Sequence, residues 1–177
     1  MSHKFKSYHN SITSYNILHK YNYVDVSQLP EFTKAVLTIN MKRFSSTTLL
    51  AISLFLQSFT SQKCLALTTS KDFTRTNVRV RKGDPVGFKV TLRRNQISLV
   101  LQRLSNHLKS GRLSELTSSS GTNQNGVCSL VVKDALTLAK LEGQYKYFRD
   151  IDAINISLVT SARDKKELEF LLTSANN

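Results

Sequence analysis

Acidic residues are what this chain lacks most: 12 Asp and Glu stand against 25 Lys and Arg in 177 residues, a formal net charge of +13. Such an excess goes beyond what solubility requires and makes a polyanion the expected partner, either nucleic acid or an anionic membrane. Cysteine is scarce as well. Cys64 and Cys128 cannot build a disulfide framework or a four-ligand zinc site, which fits a reducing compartment. With 2 prolines and 6 glycines the chain is neither collagen-like nor a Pro/Gly-rich disordered polymer, and 40% hydrophobic residues suffice for a core. No apolar run can span a membrane, since the longest, Leu49 to Leu56, is interrupted by Ser53 and falls far short of the roughly 18 residues needed. The basic N-terminal segment, residues 1–20, contains no acid but also no Arg, so a cleavable organellar presequence is not favoured.

Catalytic signatures are missing too. Neither G-x-x-x-x-G-K-[ST] nor G-x-G-x-x-G occurs, and the histidines at 3, 9, 19 and 107 form no cluster. His107 reads as a surface residue of a helix, Cys64 as a small core residue of a strand, and the pair Asp150 and Asp152, beside Arg149, is too little for a metal. The reading is of a binding protein that is not an enzyme and has no cofactor or metal.

Periodicity supplies the elements. Ala35, Leu37, Ile39 and Met41 alternate with polar neighbours, the period of a half-buried strand. Thr47 or Thr48 is placed to cap a helix running to about Phe59, with Leu49, Ile52, Leu56 and Phe59 on one stripe. Lys63 to Thr69 reads as a short strand. From Gly87 to Arg93, Phe88, Val90 and Leu92 face one way and Lys89, Thr91 and Arg93 the other, which gives a strand with an apolar back and a basic front. Ile97, Val100, Leu101, Leu104 and Leu108 then mark a helix over 94–110, with Gly111 at its C-terminal stop. Residues 114–126 are a polar, glycine-punctuated loop. Val127 to Lys133 and Asp152 to Thr160 are further strands, and Ser161 with Asp164 resembles the opening of a last helix. The resulting expectation is one α+β domain over residues 1–177, with a mainly antiparallel sheet, helices packed on one face and a wet opposite face.

Positive charge is concentrated on one long loop, one strand face and the polar side of one helix. Residues 71 to 112 carry 11 of the 25 basic residues against Asp72 and Asp84, and no acid occurs between Asp84 and Glu115. Lys and Arg neutralise phosphates, while Asn40, Gln62 and Thr91 are suited to ribose hydroxyls and base edges, so a polar sheet of this kind fits RNA better than the DNA major groove. The loop over 70–85 is long enough to be functional. Alternation of Val78 and Val80 with Arg79 and Arg81 suggests that its second arm extends the Lys89 strand as a ribbon with a projecting tip.

At this point the residues become specific. Arg81-Lys82-Gly83-Asp84-Pro85-Val86-Gly87-Phe88-Lys89-Val90-Thr91-Leu92-Arg93 resembles the R-x-G-x-P-[IV]-G-x-K-V-T-L-R signature of the large-subunit ribosomal protein five family. Val36 to Met41 is similar to that family's L-N-M strand, Ser61-Gln62-Lys63 to its G-Q-K, and Arg149 to Asp152 with Ile154 and Ile156 to its final strand. The resemblance implies a structural ribosomal protein that binds 5S rRNA in the central protuberance and touches P-site tRNA, beside neighbouring ribosomal proteins and without membrane insertion. It implies rRNA contacts at Asn40, Gln62, Lys63, Lys89, Thr91, Arg93 and Arg94, and tRNA contacts on the loop at Lys71, Arg75, Asn77, Arg79, Arg81 and Lys82. The family's glycine before Q-K is Ser61 here, its R-D-F-R-G segment is not recognisable around Gly111 to Leu116, and its aromatic C-terminus is absent. These departures, with the Asn, Ser, Tyr, Ile and Lys bias near the start, imply an organelle-encoded version in the mitochondrial matrix. The alternative is a free-standing RNA-binding factor that uses the same sheet outside the ribosome.

Overall fold

The computed structural model describes residues 14–21, 23, 25–41, 45–75, 78–109, 121–123, 126–133, 135–151, 153–162 and 167. Helix α1 covers residues 14–21. In chain order there follow β1 (Phe32–Asn40), α2 (Ser46–Thr60), β2 (Leu65–Thr68), β3 (Phe73–Arg75), β4 (Val78–Val80), β5 (Pro85–Arg93) and α3 (Asn95–Lys109). The chain continues with β6 (Gly121–Asn123), β7 (Val127–Val132), α4 (Ala135–Ala139), α5 (Tyr145–Phe148) and β8 (Ile154–Thr160). Six strands form one sheet in the order β2-β5-β1-β8-β7-β6, and β3 and β4 form a separate two-stranded sheet. The class is α+β, as the alternating strands required.

Sheet polarity follows from which strand ends meet. β2 runs antiparallel to β5, and β6 to β7. The Met41 N–H after β1 donates to the Val86 carbonyl at the start of β5 at 2.8 Å, so that pair is antiparallel too. At the other edge of β1, the Ser161 N–H beyond β8 donates to the Glu31 carbonyl at 2.9 Å, and the Thr160 N–H donates to the Gly126 carbonyl before β7 at 2.9 Å.

By contact density the chain forms two compact units: Met1–Val36, Leu92–Val131 and Ile156–Asn177 make one, Leu37–Thr91 and Val132–Asn155 the other. In the first, Ile97, Val100, Leu101 and Leu104 of α3 are buried, as are Ile156 and Leu158 of β8. In the second, Leu37, Ile39, Met41 and Val90 of the sheet and Ile52, Phe55, Leu56 and Phe59 of α2 are buried, with Phe148 edge-on to Phe55 at 5.9 Å.

Local structure departs from the sequence reading at several points. Helix α2 starts two or three residues earlier than a cap at Thr47 or Thr48 would give. Ser45 is its cap: Ser45 Oγ accepts the Thr47 N–H, and Thr48 Oγ1 accepts the Ser45 N–H, a reciprocal pair that Thr48 joins from inside the helix. Cys64 lies just before β2 and is half-buried, because β2 is an edge strand with three of its four residues exposed. Residues 121–123, expected in the polar loop, pair with β7 as β6. The short helices α4 and α5 have no periodic signal, being about one turn each. Asp164, Leu168, Leu171 and Leu172 of the expected last helix, Asp152, and most of the 114–126 loop lie outside the described residues, as does the side chain of His107.

Candidate RNA-binding surface

The site begins with two strands that approach unusually closely. Gly87 of β5 lies against β1 so tightly that a Cβ there would stand 2.4 Å from the Ile39 carbonyl oxygen and 3.1 Å from both Cα and Oδ1 of Asn40. Gly87 shares the parity of Lys89, Thr91 and Arg93, while Val90 and Leu92 are buried. The missing side chain therefore opens a hollow on the wet side of β5, and the exposed Asn40 carboxamide occupies it. Asn40 is thereby fixed beside Gly87, at the start of the line that β5 continues to Lys89 and Thr91.

On its other edge β5 is flanked by β2, with Leu65 opposite Lys89 and Leu67 opposite Gly87. The turn of Gln62 and Lys63 immediately precedes β2. That turn is built by Thr60, whose buried Oγ1 donates to the Leu56 carbonyl at 2.7 Å and accepts the Gln62 N–H at 3.3 Å. Ser61 adopts the left-handed conformation, φ 55°, and returns its N–H to the Gln57 carbonyl at 2.7 Å. Gln62 and Lys63 are consequently exposed. The same left-handed turn explains why glycine suits the position Ser61 holds.

Arg93 is exposed at the end of β5. Arg94, also exposed, has φ 53° and turns the chain into α3, its carbonyl accepting the Ile97 N–H at 3.2 Å. None of the six strands carries an acid, whereas Lys34, Lys89 and Arg93 lie on them. Nothing on these strands competes with a phosphate for those cations. Farther along α3, burial lowers the pKa of the half-buried Arg103 guanidinium, so this cation belongs to the packing rather than to the open face. Burial likewise pushes the Cys128 thiol up, which suits a core residue and not a nucleophile.

The described residues of the basic loop form a hairpin that is hung differently from the expected ribbon. Its second arm does not extend β5. It pairs back on the first arm, Phe73 with Val80 and Arg75 with Val78, and the resulting hairpin is its own sheet. The reason is the turn Arg81 to Asp84. There Asp84 N–H donates to the Arg81 carbonyl at 3.1 Å, and Gly83 at φ 94° supplies the positive φ that such a turn requires. This reverses the chain between β4 and β5. Three side chains brace it: Thr69 Oγ1 donates to the Arg81 carbonyl at 2.7 Å, Asp84 Oδ2 accepts the Arg81 N–H at 2.8 Å, and Asp72 Oδ1 accepts the Lys82 N–H at 2.7 Å. Val80 is buried and lines a small cleft with Met41, Leu49 and Pro85, which anchors the hairpin root on the start of α2.

Lys71, Arg79, Arg81 and Lys82 are exposed along this hairpin and its turn. Asp72 lies 3.8 Å from Arg79, an open ion pair that water screens. Asn77 and the Arg75 side chain lie outside the described residues. Sequence reading places a turn over Arg81 to Pro85, which the structure bears out, but it misses the bracing roles of Thr69, Asp72 and Asp84 and the role of Thr60 at its own turn.

No protein-family model matches the chain. Three large-subunit ribosomal proteins align with nearly all of it. Large ribosomal subunit protein uL5m of Reclinomonas americana is 29% identical over 177 residues, covering 96% of this chain and 94% of the relative. Large ribosomal subunit protein uL5 of Karelsulcia muelleri (strain GWSS) is 26% identical, covering 88% and 83%. Its counterpart in Borreliella afzelii (strain PKo) is 25% identical, covering 96% and 92%. The end-to-end matches agree with the signature that runs through the turn at Gly83, the close approach at Gly87 and the basic front of β5, and over nearly its whole length the chain is similar to uL5 proteins of the large ribosomal subunit.

Proposed function

We propose that the protein is a structural, non-enzymatic constituent of the large subunit of a mitochondrial ribosome in the matrix, and that its sheet holds 5S rRNA or the RNA that takes its place in the central protuberance. The supporting observation is the acid-free front of β5, where Lys89, Thr91 and Arg93 lie in line with Asn40 seated over Gly87. Phosphates meet Lys89, Arg93, Arg94 and Lys63, and the neutral Asn40, Gln62 and Thr91 read ribose hydroxyls or unstacked base edges. The hairpin carrying Lys71, Arg75, Asn77, Arg79, Arg81 and Lys82 is the part that reaches P-site tRNA. Its bracing by Asp72 and Asp84 holds these cations in place before the tRNA arrives, which lowers the ordering cost of the contact. Neighbouring ribosomal proteins complete the setting. The mitochondrial assignment rests on the relative from Reclinomonas americana.

The test is 5S rRNA binding by the full-length protein over a series of salt concentrations. Thr91→Ala combined with Arg93→Ala should weaken binding and reduce the slope of log K against log salt by about one, the share of one lost phosphate contact. Equal affinity and slope in the two proteins would refute the assignment.

A further inference from the structure

Seven large apolar side chains stand exposed among the described residues, and four belong to two helices of one unit: Leu50 (65%) and Leu54 (54%) on α2, Tyr145 (59%) and Tyr147 (73%) on α5. These helices are in contact and are joined by Phe55 against Phe148. Leu50 and Leu54 lie one turn apart and so share one strip of helix surface. Over its fifteen residues α2 has no charged side chain, in a chain that carries 25 basic ones. A surface without a cation has nothing with which to neutralise phosphates, so RNA is the wrong occupant for α2. Exposed leucines there gain only when another apolar surface excludes water from them. The margin is different: Lys146 and Arg149 are exposed on and just after α5, with Asp150 beside them as an exposed acid.

We infer that the outer face of α2 and α5 is a docking site for a neighbouring protein, one that presents aliphatic or aromatic side chains flanked by Asp or Glu. Leucines supply the apolar centre, and Tyr145 and Tyr147 add the rigid amphipathic area that protein interfaces favour. Lys146 and Arg149 select an acidic rim on the partner. A second copy of this chain would oppose the same cations to each other. An anionic lipid surface is matched by clusters of about four to eight basic residues, which this margin does not reach.

The test places a benzophenone amino acid at position 54 of the full-length protein, irradiates living cells and then fractionates ribosomes. The expected product joins position 54 to one other protein, at a peptide whose apolar residues are flanked by Asp or Glu. Its yield should fall about tenfold with Leu50→Asp, and similarly with Lys146→Glu plus Arg149→Glu. Exposure of all three residues leaves the melting temperature near that of the parent, which circular dichroism checks. Crosslinks to RNA, to lipid or to a second copy, no crosslink at all, or a yield insensitive to charge reversal would overturn the inference. Recovery of the chain in the large-subunit fraction is read separately and reports on the ribosomal role alone.

Discussion

Gly87→Ala tests the packing that organises the candidate surface. The new methyl carbon would meet the Ile39 carbonyl oxygen at 2.4 Å, whereas ordinary contacts begin near 3.4 Å. The obstacle is backbone, not a side chain that can swing away, so β1 and β5 must separate by roughly 1 Å. That displacement breaks the 2.8 Å bond from the Met41 N–H to the Val86 carbonyl just beside it. Overpacking of this kind costs about 1–3 kcal/mol, and a lost backbone hydrogen bond adds about 1 kcal/mol. For a chain of this length each kcal/mol lowers the melting temperature by roughly 2–4 °C, so a fall of about 4–16 °C is expected in a thermal melt. RNA binding should weaken as well, because Asn40 moves out of line with Lys89 and Thr91. The salt dependence, however, should keep its slope, since no cation is removed. An unchanged melting temperature would show that β1 and β5 are not in fact this close. A lower slope would show that the loss acts through phosphate contacts instead of strand spacing.

Two further substitutions probe the turns on either side of β2. Asp84→Ala removes the acceptor of the Arg81 N–H, worth about 1 kcal/mol, and should speed hydrogen exchange at Arg81 and Lys82 about fivefold while the amides of β5 stay protected; equal exchange in both proteins would deny Asp84 its bracing role. Ser61→Gly relieves a left-handed residue, φ 55°, that costs a side chain about 1–2 kcal/mol, against about 0.5–1 kcal/mol of glycine entropy. Denaturant unfolding should therefore show a net gain of about 0.5–1 kcal/mol, and a loss would mean that the Ser61 side chain contributes something the turn geometry does not reveal.

How far the sequence predicts the structure depends on how local the deciding interaction is. Strands β1 and β5 are readable because each buries one face, which enforces alternation of apolar and polar residues. Helix α3 was readable for the same reason at helical period. The start of α2 was misplaced because three consecutive hydroxyl residues compete for the cap, and the choice among Ser45, Thr47 and Thr48 is made by hydrogen-bond geometry. In β4 the alternation of Val and Arg fits an extension of β5 as well as pairing with β3. Only the reversal at Gly83, braced by Asp72 and Asp84 from across the loop, separates the two. At the candidate surface, residue types and charge pointed to Lys89, Thr91 and Arg93, but the seating of Asn40 over Gly87 depends on two strands distant in sequence and leaves no periodic trace.

The sheet order also governs when the chain can fold. β1, near the beginning, pairs along one edge with β5 and along the other with β8, where Glu31 and Ser161 are 130 residues apart. During synthesis the ladder of β2, β5 and β1 can close early, whereas the second edge of β1 must wait until β8 has emerged. For that interval an uncharged run from Ala35 to Asn40 has open backbone donors and acceptors, the arrangement most prone to pair with another chain. A nascent protein stalled before residue 154 would therefore carry a complete basic β5 beside an unprotected strand, and its solubility would depend on RNA or a chaperone reaching it before a second copy does.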